Sequence, residues 1–193
     1  MLIGISSSQS AGKSTVISKL DELGYSTVKR KTSRSILSDW NITLDQVNSD
    51  PVLAMKFQEE ILQRKYEDDT MTLNTAQLVS CNPIVFSERT FLDLFCYALV
   101  ALGSTNSCSD WLDDYYRKCM KAQQIYDKVY YLTAGHFKPE HDGVRGSNSH
   151  YSRMVDIVMF DYYKQMTQPA RQCVIDTPNF KDRIAIITSH NPL

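Results

Sequence analysis

The apolar residues of this chain form short runs, separated by longer segments in which they recur with helical spacing. Leu2 to Ile5, Ile84 to Phe86 and Lys128 to Leu132 are brief and rich in β-branched or aromatic residues, as buried strands are. Tyr25 to Val28 and Cys173 to Asp176 show the same pattern. The sequence therefore predicts five short strands.

Between the strands, apolar residues recur every three or four positions, which is the pattern of a helix with one buried face. Gly24 and Gly103 end two of these patterns, and Pro51 stands where a helix often begins. The predicted helices are Gly12 to Leu23, Ser33 to Trp40, Leu53 to Tyr66, Thr90 to Leu102, Trp111 to Gln124, Arg153 to Met166 and Phe180 to Thr188. Strands that alternate with helices predict a three-layer α/β fold, in which helices cover both faces of a mainly parallel sheet.

The first strand ends in a segment of small polar residues, Ser7-Ser-Gln-Ser-Ala-Gly12-Lys13-Ser14. The phosphate-binding loop of nucleotide enzymes has the pattern G-x-x-x-x-G-K-S/T and lies between a strand and a helix. Both neighbours are predicted here, and the departure is Ser7 in place of the first glycine. A serine there predicts either a strained backbone at Ser7 or a loop of slightly different shape.

The chemistry of such a loop assigns roles to its residues. Successive N–H groups of a tight loop surround phosphate oxygens, and the positive end of the next helix dipole strengthens their effect. Lys13 is expected to reach the β- and γ-phosphates of ATP, and the Ser14 hydroxyl suits Mg²⁺. The predicted nucleotide-binding residues are Ser8, Gln9, Ser10, Ala11, Gly12, Lys13, Ser14 and Thr15.

Composition narrows the class of protein without adding a site. The chain has 193 residues, 42% of them hydrophobic and 22% charged, so we expect residues 1–193 to form a single domain. Its formal net charge of −1 gives no overall attraction to polyanions. Five cysteines without CxxC spacing favour free thiols, and no segment resembles a signal peptide or a membrane span. These features predict a cytoplasmic protein without a membrane partner.

An acidic and basic pair follows the strand at Ile84 to Phe86. Glu88 and Arg89 come just past the end of that strand, and in an open α/β sheet this edge faces the ligand crevice. Glu88 is a candidate to hold Mg²⁺ together with Ser14 or to accept a proton, and Arg89 is a candidate to bind a phosphate. The alternative is a surface ion pair that caps the next helix.

Together with the loop, this pair marks a resemblance to known kinases. Ser-Glu88-Arg89-Thr resembles the Asp/Glu-Arg-Ser/Thr motif of deoxynucleoside and thymidylate kinases. Most of the chain resembles P-loop kinase-like proteins of bacteria and their phages, which are related to nicotinamide riboside kinases. The resemblance extends through Ser33-Arg34, Asp93, Tyr126 to Leu132 and Asp142-Gly-Val-Arg145. It implies a P-loop kinase fold with a small lid at about 136–149, and the use of ATP and Mg²⁺.

The resemblance also implies roles for residues outside the loop. Arg145, in the lid, would stabilise the transferring phosphoryl group together with Arg89, and Arg153 is a second lid candidate. Arg34 and Asp93 would orient the acceptor. A solvated loop residue is the alternative interpretation of Arg145.

One position departs from these kinases. They often place a carboxylate after the second strand, near Lys31, to take the proton of the acceptor, whereas Lys29 to Arg34 is basic. Either Glu88 or Asp93 then supplies the base, or the loose transition state of phosphoryl transfer needs none. The basic residues favour an acceptor that already carries phosphate, or they form a solvated turn.

These observations predict an ATP-dependent phosphotransferase that acts on a nucleoside or nucleotide. A specific candidate, implied by the resemblance, is the 5-hydroxymethyl group of 5-hydroxymethyluracil in phage DNA. Deoxynucleoside monophosphates and nicotinamide riboside are alternative acceptors. A P-loop ATPase that acts as a switch is the alternative class of protein.

Overall fold

The computed structural model describes residues 1–28, 32–136 and 149–192. These residues contain five strands, and their bounds lie within two residues of the prediction: β1 (Leu2–Ser6), β2 (Ser26–Val28), β3 (Val85–Glu88), β4 (Lys128–Leu132) and β5 (Gln172–Ile175). They form one sheet in the order β2-β3-β1-β4-β5, and all of its pairings are parallel. The carboxyl ends of the strands therefore meet at one edge, with β1 in the centre.

Helices cover both faces of this sheet, which confirms the predicted three-layer α/β fold. The described helices are α1 (Lys13–Glu22), α2 (Thr32–Asp39), α3 (Leu44–Ser49), α4 (Pro51–Val79), α5 (Phe91–Leu102), α6 (Ser109–Gln123), α7 (Ser149–Met166) and α8 (Phe180–His190). Two short 3₁₀ helices span Asn106–Cys108 and Pro169–Arg171. None of the helices within the described ranges combines the length and apolarity needed to span a membrane.

Two helical features differ from the sequence prediction. Helix α3 was not predicted, and it begins with a capping box in which Thr43 and Gln46 bind each other's backbone N–H groups. Helix α4 has 29 residues and continues to Val79, well beyond Tyr66. Its second half is largely exposed, and its apolar residues Met71, Leu78 and Val79 face solvent, so it lacks the continuous buried apolar stripe on which the prediction relied.

The core is divided by the sheet into two clusters. The larger cluster joins Leu2, Val85 and Tyr131 of the strands to apolar residues of α4, α5, α6 and α7. The smaller cluster joins Ile3 and Phe86 to residues of α1 and α8. Successive strand residues enter opposite clusters, because side chains alternate across a sheet.

A glycine in the central strand lets helix α5 approach the sheet. A Cβ atom placed on Gly4 would lie 2.3 Å from Thr90 Cγ2, well inside contact distance. Thr90 is the N-cap residue of α5. The absence of a side chain at Gly4 therefore brings the start of α5 against the end of β1, where the candidate site lies.

Candidate functional site

The predicted phosphate loop, residues 7–12, lies at the carboxyl edge of the sheet between β1 and α1. Its residues Ser7 and Ser8 are fully buried, and Ser10 (φ 61°) and Gly12 (φ 87°) have left-handed backbones. Gly12 is the N-cap residue of α1, and no described side chain caps the helix there. The first N–H groups of α1 thus remain suited to an anion, as the prediction requires.

Ser7 does not carry backbone strain. Among the described residues, a positive φ outside glycine occurs at Ser10, Asn41 and Arg89, so strain at Ser7 is the wrong one of the two expectations. The Ser7 hydroxyl donates to the Ser8 carbonyl oxygen at 3.1 Å and accepts from Lys13 Nζ at 2.9 Å. A serine replaces the first glycine here because the loop uses its hydroxyl and makes its left-handed turn elsewhere.

The Lys13 side chain lies inside the loop, with 6% of its surface exposed. Its ammonium group donates to the carbonyl oxygens of Ser7 at 2.5 Å and Ser8 at 2.7 Å. The Asp93 Oδ1 atom lies 3.9 Å from Lys13 Nζ. The cation is thus held at the point where the loop leaves β1.

Asp93 lies behind the loop. It is fully buried, and its Oδ2 atom accepts from the Ser6 hydroxyl at 2.7 Å and from the Thr90 N–H group at 2.8 Å. Oδ1 has no hydrogen-bond partner within the described part of the chain. This geometry favours a role for Asp93 in holding Lys13 and the start of α5. The predicted role, in which Asp93 orients the acceptor, stays a prediction, and these contacts do not favour it.

Ser14 and Glu88 meet at the mouth of the loop. The Ser14 hydroxyl donates to Glu88 Oε1 at 2.5 Å, and the register of the sheet pairs Glu88 with Ile5 of β1. Hydroxyl and carboxylate oxygens are the ligands that Mg²⁺ prefers, so this pair fits the predicted metal. Within residues 1–28, 32–136 and 149–192, no three or more His, Cys, Asp or Glu side chains converge on a metal site. Any Mg²⁺ bound here would therefore take its remaining ligands from phosphates and water, as this ion commonly does.

Arg89 has a left-handed backbone, with φ 67°. Its N–H group donates to the Ile5 carbonyl oxygen at 2.9 Å, and its guanidinium group lies 5.5 Å from the centre of the Tyr97 ring. A non-glycine residue in this conformation costs about 1–3 kcal/mol, and such strain is concentrated at functional sites. Glu88 and Arg89 thus have separate partners, and Thr90 with Asp93 caps α5, which disfavours the simple surface ion pair.

Helix α7 contacts the other side of the loop. Gln9 Nε2 donates to Ser152 Oγ at 2.6 Å, and the Ser8 hydroxyl donates to Asp156 Oδ1 at 3.1 Å. The Tyr131 hydroxyl also donates to Asp156 Oδ1, at 2.8 Å. Burial and the nearby Asp156 carboxylate raise the pKa of Tyr131, so the phenol remains a donor. Asp156 was not predicted from the sequence.

The remaining predicted residues are exposed on helices or lie outside the described residues. Thr15 is exposed on α1, Arg34 is exposed on α2, and Arg153 is exposed on α7. Arg145 and residues 137–148 of the predicted lid lie outside the described residues, as do Lys29 to Lys31 of the basic segment.

A buried network under β3 was also missed. Lys65 Nζ donates to Asp69 Oδ2 at 3.0 Å and to the Ser87 hydroxyl at 2.8 Å, and the Tyr126 hydroxyl donates to Asp69 Oδ2 at 2.5 Å. The sequence does carry a signal for it, because Lys65 and Asp69 continue the buried stripe of α4 at a spacing of four residues. Ser87 directly precedes Glu88, so the network supports the strand that carries the candidate metal ligand.

Arg183 is a further residue that the sequence did not reveal. It belongs to α8 but is only 1% exposed. Its guanidinium group donates to the carbonyl oxygens of Ala11, Thr133 and Thr177, at 2.5, 3.4 and 2.6 Å. Position in the sequence gave no signal, because a charged residue on a surface helix is ordinarily expected to face solvent.

Comparisons with known proteins agree with this fold. A family model described as an AAA domain matches residues 2–183. A search of the curated proteins found no match. Deoxyadenosine kinase from M. mycoides, solved with bound dCTP, is similar in structure with a TM-score of 0.67 and 19% identity over 98% of both chains. The NadR protein in complex with NR has a TM-score of 0.72 and 15% identity, and this chain spans 52% of its length.

Proposed function

We propose that this chain, which belongs to the AAA domain family, is an ATP-dependent kinase with a nucleoside-type or nucleotide-type acceptor. The observation that carries the proposal is the contact of 2.5 Å between Ser14 and Glu88 at the mouth of the phosphate loop. It joins the end of the loop to the end of the neighbouring strand. Phosphoryl transfer needs phosphates held on one side of such a contact and an acceptor on the other.

The donor side is formed by the phosphate loop and Lys13. An ammonium group has three protons, and those of Lys13 have acceptors in the Ser7 and Ser8 carbonyl oxygens and the Ser7 hydroxyl. To reach a phosphate oxygen, Lys13 has to share or exchange one of these bonds. The Asp93 carboxylate, 3.9 Å from Lys13 Nζ, attracts the ammonium group and keeps it near the loop during that exchange.

The acceptor side is formed by Glu88 and Arg89. When bound, Mg²⁺ would supply charge neutralisation between the phosphates, with Ser14 and Glu88 as its protein ligands. The strained turn at Arg89 fixes its guanidinium group beside Tyr97 before any ligand arrives. A fixed cation stabilises charge on the transferring group better than a mobile one, because it needs no reorganisation during the reaction. Arg145 of the lid would add a second cation.

The acceptor class rests on the neighbours and on the basic segment of the sequence. The similar kinase from M. mycoides was also solved with dCMP and dCDP, and the NadR protein was solved with NR. These ligands favour a nucleoside-type hydroxyl as acceptor. The basic residues from Lys29 to Arg34 favour an acceptor that carries phosphate, so the hydroxymethyl group of 5-hydroxymethyluracil in DNA is the specific acceptor that we propose to test first.

The test is transfer of labelled γ-phosphate from ATP with Mg²⁺ to a panel of acceptors. The panel contains deoxynucleosides, deoxynucleoside monophosphates, nicotinamide riboside, and duplex DNA with and without 5-hydroxymethyluracil. Lys13→Ala is the inactivated variant, and we expect it to lower transfer by about 10²–10³-fold through loss of a charged phosphate ligand. Lys19→Ala is its matched control, because Lys19 is an exposed lysine of the same helix that pairs with Glu22.

Label in one acceptor, lost in Lys13→Ala and retained in Lys19→Ala, would support the kinase and identify its substrate class. Transfer to free nucleosides but not to DNA would reject the DNA acceptor and keep the kinase. Label found only as free phosphate, whatever acceptor is present, would reject the kinase in favour of an ATPase switch.

A further inference from the structure

Arg183 connects three separate loops at the carboxyl edge of the sheet. Ala11 belongs to the phosphate loop, Thr133 follows β4, and Thr177 follows β5. The guanidinium group reaches a backbone carbonyl oxygen in each of them. A planar group with five fixed donors is suited to such bridging, whereas a lysine has a single nitrogen.

Such an arrangement is costly for a residue whose only task is stability. Burial lowers the pKa of Arg183, which reflects the loss of solvation around its charge, and the nearby Asp176 carboxylate offsets only part of that effect. An apolar side chain would fill the same space without the desolvation penalty. The Arg183 bridge is therefore expected to have a function at the three loops that it joins.

The geometry of the site indicates what those loops hold. Ser14 and Glu88 lie on the β3 side of the phosphate loop, so the metal-bound end of a triphosphate would face β3. The rest of a nucleotide would then extend to the opposite side of β1, toward β4 and β5. Thr133 and Thr177 begin the loops on that side, and the Arg183 guanidinium group lies between them and the phosphate loop.

We propose that Arg183 is a positioning residue for the nucleotide donor. It fixes the end of the phosphate loop relative to the loops after β4 and β5, so that the phosphates and the base bind to one rigid surface. The inference rests on the proposed kinase function, because it needs a nucleotide in the loop. Arg183 itself bonds to backbone and contacts no reacting atom.

The test compares two ligands by calorimetric titration of the full chain. ATP has a base and a triphosphate, whereas inorganic tripolyphosphate has only the phosphates. The variants are Arg183→Met, Arg183→Lys and, as matched control, Arg171→Met. Arg171 also donates to two backbone carbonyl oxygens, those of Gln124 and Tyr126, but these precede β4 at the opposite edge of the sheet.

We expect Arg183→Met to weaken ATP binding by about 10–100-fold, because it removes the three hydrogen bonds that hold the phosphate loop to Thr133 and Thr177. The same variant should lose several-fold less affinity for tripolyphosphate than for ATP. Arg171→Met should bind both ligands with affinities within about two-fold of the wild type. Arg183→Lys keeps the charge and should fall between the wild type and Arg183→Met. If Arg183→Met does not fold, the same comparison of ATP with tripolyphosphate is made with Arg183→Lys.

Two results would overturn the inference while leaving the kinase intact. One is a folded Arg183 variant that binds ATP like the wild type. The other is an equal loss for ATP and tripolyphosphate, which is what a general loosening of the fold would cause. A wild-type chain that binds neither ligand would reject the proposed function itself, and the inference with it.

Discussion

Two buried lysine–aspartate pairs occur among the residues that the structure describes, and they are built in opposite ways. In the closed pair, Lys65 Nζ lies 3.0 Å from Asp69, and the hydroxyls of Ser87 and Tyr126 also donate to that carboxylate. In the open pair, Lys13 Nζ lies 3.9 Å from Asp93. Asp93 Oδ1 has no hydrogen-bond partner within the described residues.

The difference indicates what each pair is for. A buried carboxylate oxygen without a hydrogen bond costs about 1–3 kcal/mol or more, so a pair kept only for stability is expected to satisfy all its atoms. The closed pair does so and lies under β3. In the open pair, the Lys13 ammonium group lies inside the phosphate loop near the unsatisfied Asp93 oxygen. There its positive charge is available to a bound phosphate. We therefore propose that the closed pair serves stability and that the open pair serves activity.

The largest expected effect comes from removing the cation of the closed pair. Lys65→Met leaves Asp69 as a buried charge without its counterion, so the free energy of unfolding should fall by about 3–5 kcal/mol. Urea denaturation followed by circular dichroism measures this loss. The phosphotransfer rate of the folded fraction should stay within about three-fold of the wild type, because the pair is bonded to Ser87 and Tyr126 under β3.

Lys118→Met is the control for this prediction. Lys118 pairs with Glu59 and Asp114, but 45% of its side chain is exposed. Surface pairs of this kind contribute about 0–1 kcal/mol. A loss of stability in Lys65→Met no greater than in the control would contradict the structural role, and a selective loss of activity would place the closed pair in the site.

The second prediction concerns the open pair. Asp93→Asn keeps an oxygen for Ser6 and Thr90 but turns a neutral amide toward Lys13, which removes the charge that holds the ammonium group. We expect the phosphotransfer rate to fall by about 10–100-fold, which corresponds to the loss of one charge-assisted interaction. The free energy of unfolding should fall less than in Lys65→Met.

Asp50→Asn is the matched control, because Asp50 also caps a helix and accepts from the N–H groups of Val52 and Leu53. It lies at the start of α4 and should leave the rate unchanged. Phosphotransfer rates and urea midpoints are compared between Asp93→Asn and Asp50→Asn. Full activity in Asp93→Asn would break the comparison, because the open pair would then be a helix cap that lies near a lysine.

The comparison also explains what the sequence could reveal. Gly12, Lys13 and Ser14 were predicted because their chemistry requires a fixed spacing between a strand and a helix. The strands were predicted because a covered parallel sheet needs continuous apolar runs. Both signals are local.

The missed features depend on contacts between distant segments. Arg183 is buried by contacts with Ala11 and Thr133, which are remote in sequence, and with Thr177 just before its own helix. Asp93 was assigned to the acceptor because its position in the sequence resembles a kinase motif, whereas its direction is set by the capping box of α5. Lys65 and Asp69 form the exception, since their spacing of four residues continues the stripe of α4.

The smallest expected effect is the change of stability at alkaline pH that is due to Tyr126, which donates to Asp69 of the closed pair. Burial, together with the Asp69 carboxylate, raises the pKa of Tyr126 well above its usual value. The unfolded chain loses this proton near pH 10, whereas the folded chain keeps it. The stability that Tyr126 contributes is therefore complete below pH 10 and decreases as the pH rises further.

Each buried tyrosine of this kind should cost about 1.4 kcal/mol of unfolding free energy per pH unit above 10. Burial also raises the pKa of Tyr130 to about 12, so the wild-type slope contains more than one contribution. Tyr126→Phe isolates its own share. This variant is less stable at pH 8, because Asp69 loses a donor, but its stability should fall more slowly between pH 10 and 11. Urea midpoints across that range measure both slopes, and parallel slopes would mean that the closed network does not hold the phenolic proton on which its assignment to stability depends.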